Sequence, residues 1–364
     1  MMRLANVFLL IFVAGWQLFL QSCTAERNWK EGIVSSEFIY EEAPFPSCHA
    51  ATIAETTDGT LVASWFGGTH ERHPDVCIYV SRLVDGQWSE PVNAADGVQD
   101  DGSRMPTWNP VLYQVPDGEL QLYYKIGPNP REWQGWMKTS PDGGKSWSEA
   151  IMLPEGYMGP VKNKPELIGE TLICPTSTEH EGWKVHFEMT HDFGKTWERT
   201  GPINDGVDIH AIQPSILKHG DGRLQVLCRS KNRAVLSSWS DDDGKTWSEM
   251  EKTSLPNNNS GTDAVSLTDG THLLVYNHVL PPGDAYKGVR TPLNVALTKD
   301  GTNWLAALVL EDAPDSEFSY PAIIQTKDGL IHIVYTWNRT KIKHVVVDPE
   351  KLKLIKMENG EWPL

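Results

Sequence analysis

SPDGGKSW at 140–147 returns as THDFGKTW at 190–197 and as SDDDGKTW at 240–247, with a shortened TKDGTNW at 298–304. The shared pattern is Ser/Thr-x-Asp-x-Gly-x-x-Trp, and its first three tryptophans, Trp147, Trp197 and Trp247, fall fifty residues apart. A fixed period of this size marks an array of one supersecondary unit, each copy burying its apolar face against the next. The motif also makes mechanical sense. An Asp carboxylate accepts backbone N–H groups in a tight turn, Gly supplies a positive φ, and Trp has a large face to bury at the foot of the turn.

A second repeat counts the units. Asp58-Gly59, Asp117-Gly118, Asp221-Gly222, Asp269-Gly270 and Asp328-Gly329 each lie between alternating apolar runs, and Gly169 fills the same slot in PELIGETLICP. Asp-Gly between two such runs is a strong hairpin signal. A third run follows most hairpins: VCIYVSR, GWMKTS, VHFEMTH, VLSSWSD and LNVALTKD. Six units of four strands predict an all-β fold, a six-bladed β-propeller of four-stranded antiparallel blades. SEFIYEE at 36–42 is expected to supply the strand that closes the last blade against the first. The 30 Gly and 24 Pro, spread along all 364 residues, suit a fold of short strands and turns.

The N-terminus reads as an address. Arg3 precedes an apolar run from Leu4 to Leu20, and Leu20-Gln21-Ser22-Cys23 has the form of a bacterial lipoprotein cleavage site. The expected organisation is a signal peptide at 1–22, a tether at 23–33 and one propeller domain at 34–364. The protein is then an exported lipoprotein on the periplasmic face or the cell surface, touching membrane only through a lipid on Cys23. Cys48, Cys77, Cys174 and Cys228 lie in strand-like apolar runs without metal-ligand spacing, so buried thiols are expected, with a Cys48 to Cys77 bridge left open. A net charge of -16 argues against a nucleic-acid partner. It does not forbid an anionic substrate, because a local cluster of Arg overrides net charge.

The hairpin register says which side chains meet at the axis. Aligned on the turns, the six inner strands open on His49, Asn109, Lys164, Gln213, Asp263 and Tyr320. The returning strands bring Phe66, Lys125, Thr176, Arg229, Asn277 and Thr336 to the same end. So polar a ring in a concave mouth is poor core material, since burying an unpaired polar group costs roughly 2 to 7 kcal/mol. A binding site is the default reading of such a mouth.

The repeated turns resemble the Asp-box of the sialidase superfamily, and FSYPAIIQTKDGLIHIVYTW resembles the last-blade segment of those enzymes. The resemblance implies that Tyr320 is the nucleophile. A neutral phenol suits an anomeric carbon that bears a carboxylate, and sialidases stand outside the two-carboxylate rule for this reason. QPSILKHGDGRLQVLCRSKN is similar to the segment that carries one arginine of the family's carboxylate-binding triad, which implies that role for Arg229. KGVRTPLNVALTKDG is similar to the segment carrying a second, which implies it for Arg290. Guanidinium forks grip carboxylates bidentately. GGTHERHPDVCIYVSR resembles the loop with the acid/base aspartate, which falls on Asp75.

The chain departs from the family in two places. Pro46-Ser47-Cys48-His49 stands where sialidases have Phe/Tyr-Arg-Ile-Pro, so the first triad arginine is missing. The glutamate that activates the tyrosine is expected just before Gln213, where this chain reads Asp208-Ile209-His210-Ala211-Ile212. His210 is a candidate replacement base, and Arg72 and Arg104 are candidate replacement cations. Lys164, Gln213, Asp263 and Asn277 complete the expected substrate contacts. The leading expectation is an exo-acting glycoside hydrolase that removes a terminal acidic sugar. His49 supports an alternative, a propeller polysaccharide lyase or uronate hydrolase with a His base, and a non-catalytic glycan-binding propeller is the third reading. The expected partner is a carboxylate-bearing glycan, and the expected state is a monomer. No nucleotide loop or metal cluster stands out, so no cofactor is expected; carboxylates in the turns leave a structural calcium open.

Overall fold

A computed structural model describes residues 27–363, so the expected signal segment and Cys23 lie outside the described residues. Six antiparallel sheets stand around an axis. Blade 1 runs from the inner strand Ser47–Glu55 through Leu61–Gly68 to Cys77–Val84, whose outer edge is paired by Gln87–Trp88 and Val92–Ala95. Blade 2 comprises Thr107–Gln114, Leu120–Ile126, Gln134–Ser140 and Ile151–Met152, and blade 3 comprises Glu166–Ile168, Thr171–Thr178, Lys184–Thr190 and Glu198–Thr200. Blade 4 is built from Ala211–Lys218, Leu224–Ser230, Ala234–Ser240 and Glu251–Pro256. Blade 5 is built from Asp263–Ser266, His272–Tyr276, Leu293–Thr298 and Trp304–Glu311, with Ile355–Lys356 added outside. In blade 6, Phe318–Gln325, Ile331–Trp337 and Lys341–Val347 are completed by the N-terminal strand Ile33–Phe38. The six-bladed propeller is therefore the fold, closed by strand exchange between the chain's two ends.

The Asp-boxes fasten one blade to the next. The Asp192 carboxylate accepts the amides of Lys195 at 3.0 Å and Thr196 at 2.8 Å and the hydroxyls of Thr196 and Thr190 at 2.7 and 2.8 Å. Asp142 and Asp242 hold their turns in the same way. These bonds keep the carboxylates ionised well below the usual range. The glycine of each box has positive φ and packs on the preceding blade: a Cβ on Gly244 would lie 2.8 Å from Ile173 of blade 3. The tryptophan follows it. Trp247 stacks on Phe187 of blade 3, ring centres 4.5 Å apart at 18°, and Trp197 meets Tyr123 of blade 2 edge-on at 6.3 Å.

Around the axis the inner strands share a bulge. Two residues drop out of register between His49 and Thr52, Trp108 and Val111, Ile212 and Ser215, and Ser319 and Ala322. The first unpaired residue has positive φ in all four: Ala50 (58°), Asn109 (31°), Gln213 (56°) and Tyr320 (53°). Proline follows in three of them, where its lack of an N–H costs no ladder bond. The register corrects the alignment of the inner strands. Ala50, not His49, is the counterpart of Gln213 and Tyr320, and His49 sits one place earlier, opposite Phe66. Asp263 pairs with Val275 as Ser215 pairs with Leu227, so it lies two places deeper than Gln213. Leu167 pairs with Leu172 as Lys218 pairs with Leu224, so by the same count Lys162 rather than Lys164 takes the position of Gln213 in blade 3. A bulge adds residues that hydrophobic alternation alone does not reveal.

The four cysteines within the described residues are free and buried, without a Cys48 to Cys77 bridge. The Tyr40 hydroxyl lies 3.0 Å from the Cys48 thiol, and burial pushes that thiol up to about 12.

Candidate active site

The bulge in blade 6 turns Tyr320 across the axis. A tyrosine held at positive φ is a local outlier that must be paid for by its surroundings, and such strain concentrates at functional positions. Its hydroxyl oxygen accepts Arg229 Nη1 at 2.5 Å and the Gln213 side-chain amide at 3.3 Å, joining blades 4 and 6. Gln213 Oε1 in turn accepts Arg229 Nη1 at 3.4 Å, and Asn259 Oδ1 accepts Arg229 Nε at 3.0 Å. The phenol touches an amide and a guanidinium where the resemblance had implied a carboxylate base.

Cations surround the ring. The guanidinium carbons of Arg229 and Arg290 lie 5.6 and 5.7 Å from its centre, and the Lys162 ammonium lies 5.9 Å away. Arg290 is one half of a fork: Glu317 accepts Arg290 Nη1 at 2.8 Å and Arg339 Nε at 2.7 Å, while Arg339 also pairs with Glu71 at 2.7 Å. Burial works to raise the Glu317 carboxyl, but the two guanidiniums outweigh it and hold it below its ordinary range. Burial likewise drives the Lys162 ammonium down to about 7. Arg229 has no carboxylate within ion-pair distance among the described residues. The mouth is thus locally cationic on a chain of net charge -16.

His49 lies against the same phenol, ring centres 4.1 Å apart. Its Nδ1 is 2.9 Å from the Thr336 hydroxyl, which also accepts the Ala50 amide at 3.2 Å. Burial first, and then Arg339, Arg290, Arg229 and Lys162, push the imidazole well below its usual range, so it is uncharged at neutral pH. An uncharged imidazole keeps one nitrogen free to take a proton.

Below the phenol, polar groups stitch the blades together. Asp263 of blade 5 accepts the Ser215 hydroxyl of blade 4 at 2.9 Å and the Ile323 amide of blade 6 at 3.0 Å, and it pairs with Lys164 beside blade 3 at 3.3 Å. Lys162 donates to Thr262 O at 2.9 Å and to Pro321 O, the carbonyl next to Tyr320. Asn277 is buried and donates to Pro292 O at 2.8 Å and Phe318 O at 3.0 Å. These residues support the mouth through bonds to protein groups.

The remaining sequence candidates make no hydrogen bond or ion pair to Tyr320, Arg229 or Arg290. Asp75 accepts the Thr69 amide at 3.0 Å and its hydroxyl at 2.6 Å, and it pairs with His73 at 2.8 Å, all within the loop before the third strand of blade 1. Arg104 reaches the Cys77 thiol at 3.2 Å and Pro74 O at 3.4 Å. Arg72 is exposed at positive φ. His210 receives Lys231 N on its carbonyl and donates its amide to Asn232, and none of its bonds reaches Tyr320. Sequence reasoning missed Arg339, Glu317 and Lys162. Glu317 and Ser319 flank the Tyr320 segment at i-3 and i-1, but Arg339 sits in a hairpin turn whose aim toward Glu71 is a tertiary fact.

A family model described as BNR repeat-like domain matches residues 59–333. No curated protein matches the chain by sequence. Among solved structures, a protein of unknown function from Dyadobacter fermentans superposes with a TM-score of 0.69 at 16% identity, over 87% of this chain and 98% of that one. The NanB sialidase from Streptococcus pneumoniae gives 0.69 at 13% identity, over 87% of this chain and 71% of that one. The intramolecular trans-sialidase from Ruminococcus gnavus gives 0.68 at 13% identity, over 88% and 99%. At these identities the neighbours speak to the fold, and the family rests on the match to the repeat itself. The chain belongs to the BNR repeat-like domain family, on the six-bladed propeller that sialidases also use.

Proposed function

We propose that the chain is an exo-acting glycoside hydrolase that removes a terminal carboxylate-bearing sugar, sialic acid or a related acid, from a glycan. The observation that carries the reading is the Tyr320 phenol bound to Arg229 at 2.5 Å, with Arg290 beside the same ring. In this reading the sugar carboxylate is held by Arg229 together with the Arg290 and Arg339 pair, and Arg339 takes the place of the absent first-blade arginine. Tyr320 attacks or shields the anomeric carbon as the glycosidic C–O bond breaks and positive charge develops there, an attacking phenol losing its proton to solvent, and the Asp75 and His73 pair delivers a proton to the leaving oxygen. Guanidiniums fixed before the substrate arrives need no reorganisation during reaction.

One observation favours a second reading. The hydroxyl of Tyr320 is bonded to an amide, which takes no proton, whereas the uncharged His49 ring lies 4.1 Å from the phenol. That pairing suits proton abstraction next to a cation-bound uronate carboxylate, which is β-elimination.

The test is turnover of a fluorogenic sialoside beside ultraviolet monitoring of uronate polymers, where elimination creates an absorbing double bond. Fluorophore release that falls at least about 10³-fold in Tyr320→Phe, with binding retained, is the expected outcome. Release unaffected by Tyr320→Phe, or absorbance on uronates without release from the sialoside, refutes the hydrolase. Anchoring through Cys23 is part of the proposal: Cys23→Ser is expected to move the protein from the membrane to the soluble fraction, and unchanged membrane recovery would exclude it.

A further inference from the structure

A ladder of alternating cations and aromatic rings leads from the Tyr320 phenol out to solvent. Arg229, bonded to Tyr320, has its guanidinium carbon 5.1 Å from the centre of the Trp183 ring. The Lys231 ammonium lies 4.3 Å from that same ring and 5.8 Å from the ring of Tyr286. Tyr286 is 52% exposed, on the loop between the second and third strands of blade 5.

The shelf is built. Arg233 donates to the carbonyls of Gly283 and Ala285, the second at 2.7 Å, and pins the Tyr286 loop to blade 4. The Gly288 amide donates to Asn258 O at 3.1 Å and fixes the loop's other end. Arg229, Lys231 and Arg233 have no carboxylate partner within 4 Å among the described residues. Arg229 and Lys231 both act on the Glu179 carboxyl, which burial nonetheless pushes above its ordinary range. An ammonium with no ion-pair partner within 4 Å among the described residues, beside an exposed phenol ring, offers a point charge and a flat apolar face together. That pair matches a pyranose ring bearing a carboxylate.

We propose that Lys231 and Tyr286 form the subsite for the second sugar of the substrate, and that this sugar is acidic as well. The proposal rests on the reading that the terminal sugar binds at Tyr320. The natural substrate is then a glycan with consecutive acid sugars, and the shelf selects it over a glycan whose acid sugar caps a neutral one.

The experiment uses the full chain carrying Tyr320→Phe, which stops turnover, and calorimetric affinities for matched probes. 3′-Sialyllactose is compared with its disialyl counterpart, and galacturonic acid with digalacturonate. The two-acid probe of one pair is expected to bind about tenfold tighter than its partner, a charge-assisted contact's worth. Lys231→Gln is expected to erase that gap while leaving the one-acid probe within about twofold, and Tyr286→Ala is expected to narrow it. Equal affinities within both pairs, a gap that survives Lys231→Gln, or no binding by any of the four probes overturns the proposal. Failure of the hydrolase reading looks different. Wild-type protein that prefers two-acid probes but turns over no sialoside keeps the shelf and loses the hydrolase; hydrolysis without the preference does the reverse.

Discussion

Glu317→Gln removes one negative charge from between two guanidiniums, and its effect can be worked from the geometry. The carboxylate accepts Arg290 at 2.8 Å, Arg339 at 2.7 Å and the Ser319 hydroxyl at 2.8 Å, with its side chain 32% exposed. A fully exposed pair contributes about 0 to 1 kcal/mol, and breaking a fully buried one costs about 3 to 5. Two pairs at intermediate burial, with an amide oxygen left to accept one guanidinium, place the loss near 2.5 kcal/mol at neutral pH. Unfolding a chain of this size has an entropy of roughly 0.7 kcal/mol per kelvin, so Tm should drop by about 3 to 4 °C. The sign with pH follows from the lowered carboxyl. Glu317 titrates below its ordinary value of 4.5 when folded, so its contribution is complete above that value and fades as pH falls through the folded one. Thermal melts followed by near-ultraviolet circular dichroism should therefore show wild type and Glu317→Gln apart at pH 7 and converging as pH falls below 4.5 toward the lowered folded value. A mutant that melts with wild type at pH 7, or a gap that persists undiminished in acid, would refute the ion-pair account.

Other outcomes follow from the same contacts. Gln213→Glu puts a carboxylate on the Tyr320 hydroxyl, and if the phenol is the nucleophile kcat on a fluorogenic sialoside should rise about 10²-fold; unchanged or lower kcat argues for the His49 chemistry instead. Phe187→Ala strips Trp247 of its stacking partner in a fully buried position, so the denaturant midpoint should fall by the equivalent of about 3 to 5 kcal/mol. A loss below about 1 kcal/mol there would mean the Asp-box tryptophan does not tie blade 4 to blade 3.

The fold was legible because its signals are local. Trp147, Trp197 and Trp247 at equal spacing, and Asp-Gly between apolar runs, each describe a turn that a few neighbouring residues determine. The site was legible only where a side chain follows from strand register. Tyr320, Gln213 and Arg229 meet because turn counting carries two of them to one strand end and the third to its returning partner. His49 was carried to the mouth with its position misread by one place, since the bulge at Ala50 leaves no trace in hydrophobic alternation. Arg339 was invisible: its partners, Glu317 and Glu71, come from the last blade and the first, and only closure of the ring makes them neighbours.

That closure bears on the order in which the chain can become whole. Ile33–Phe38 leaves the ribosome long before its pairing partner Lys341–Val347. The strand Ile355–Lys356, which edges blade 5, comes later still. During synthesis the early strand must wait unpaired while more than three hundred residues are added, and contacts so distant in sequence make for slow folding. Until Lys341–Val347 arrives blade 6 is open, Arg339 has not been brought to Glu71, and the mouth around Tyr320 is incomplete. A polypeptide that stops before Lys341–Val347 would therefore carry every Asp-box and lack a finished site.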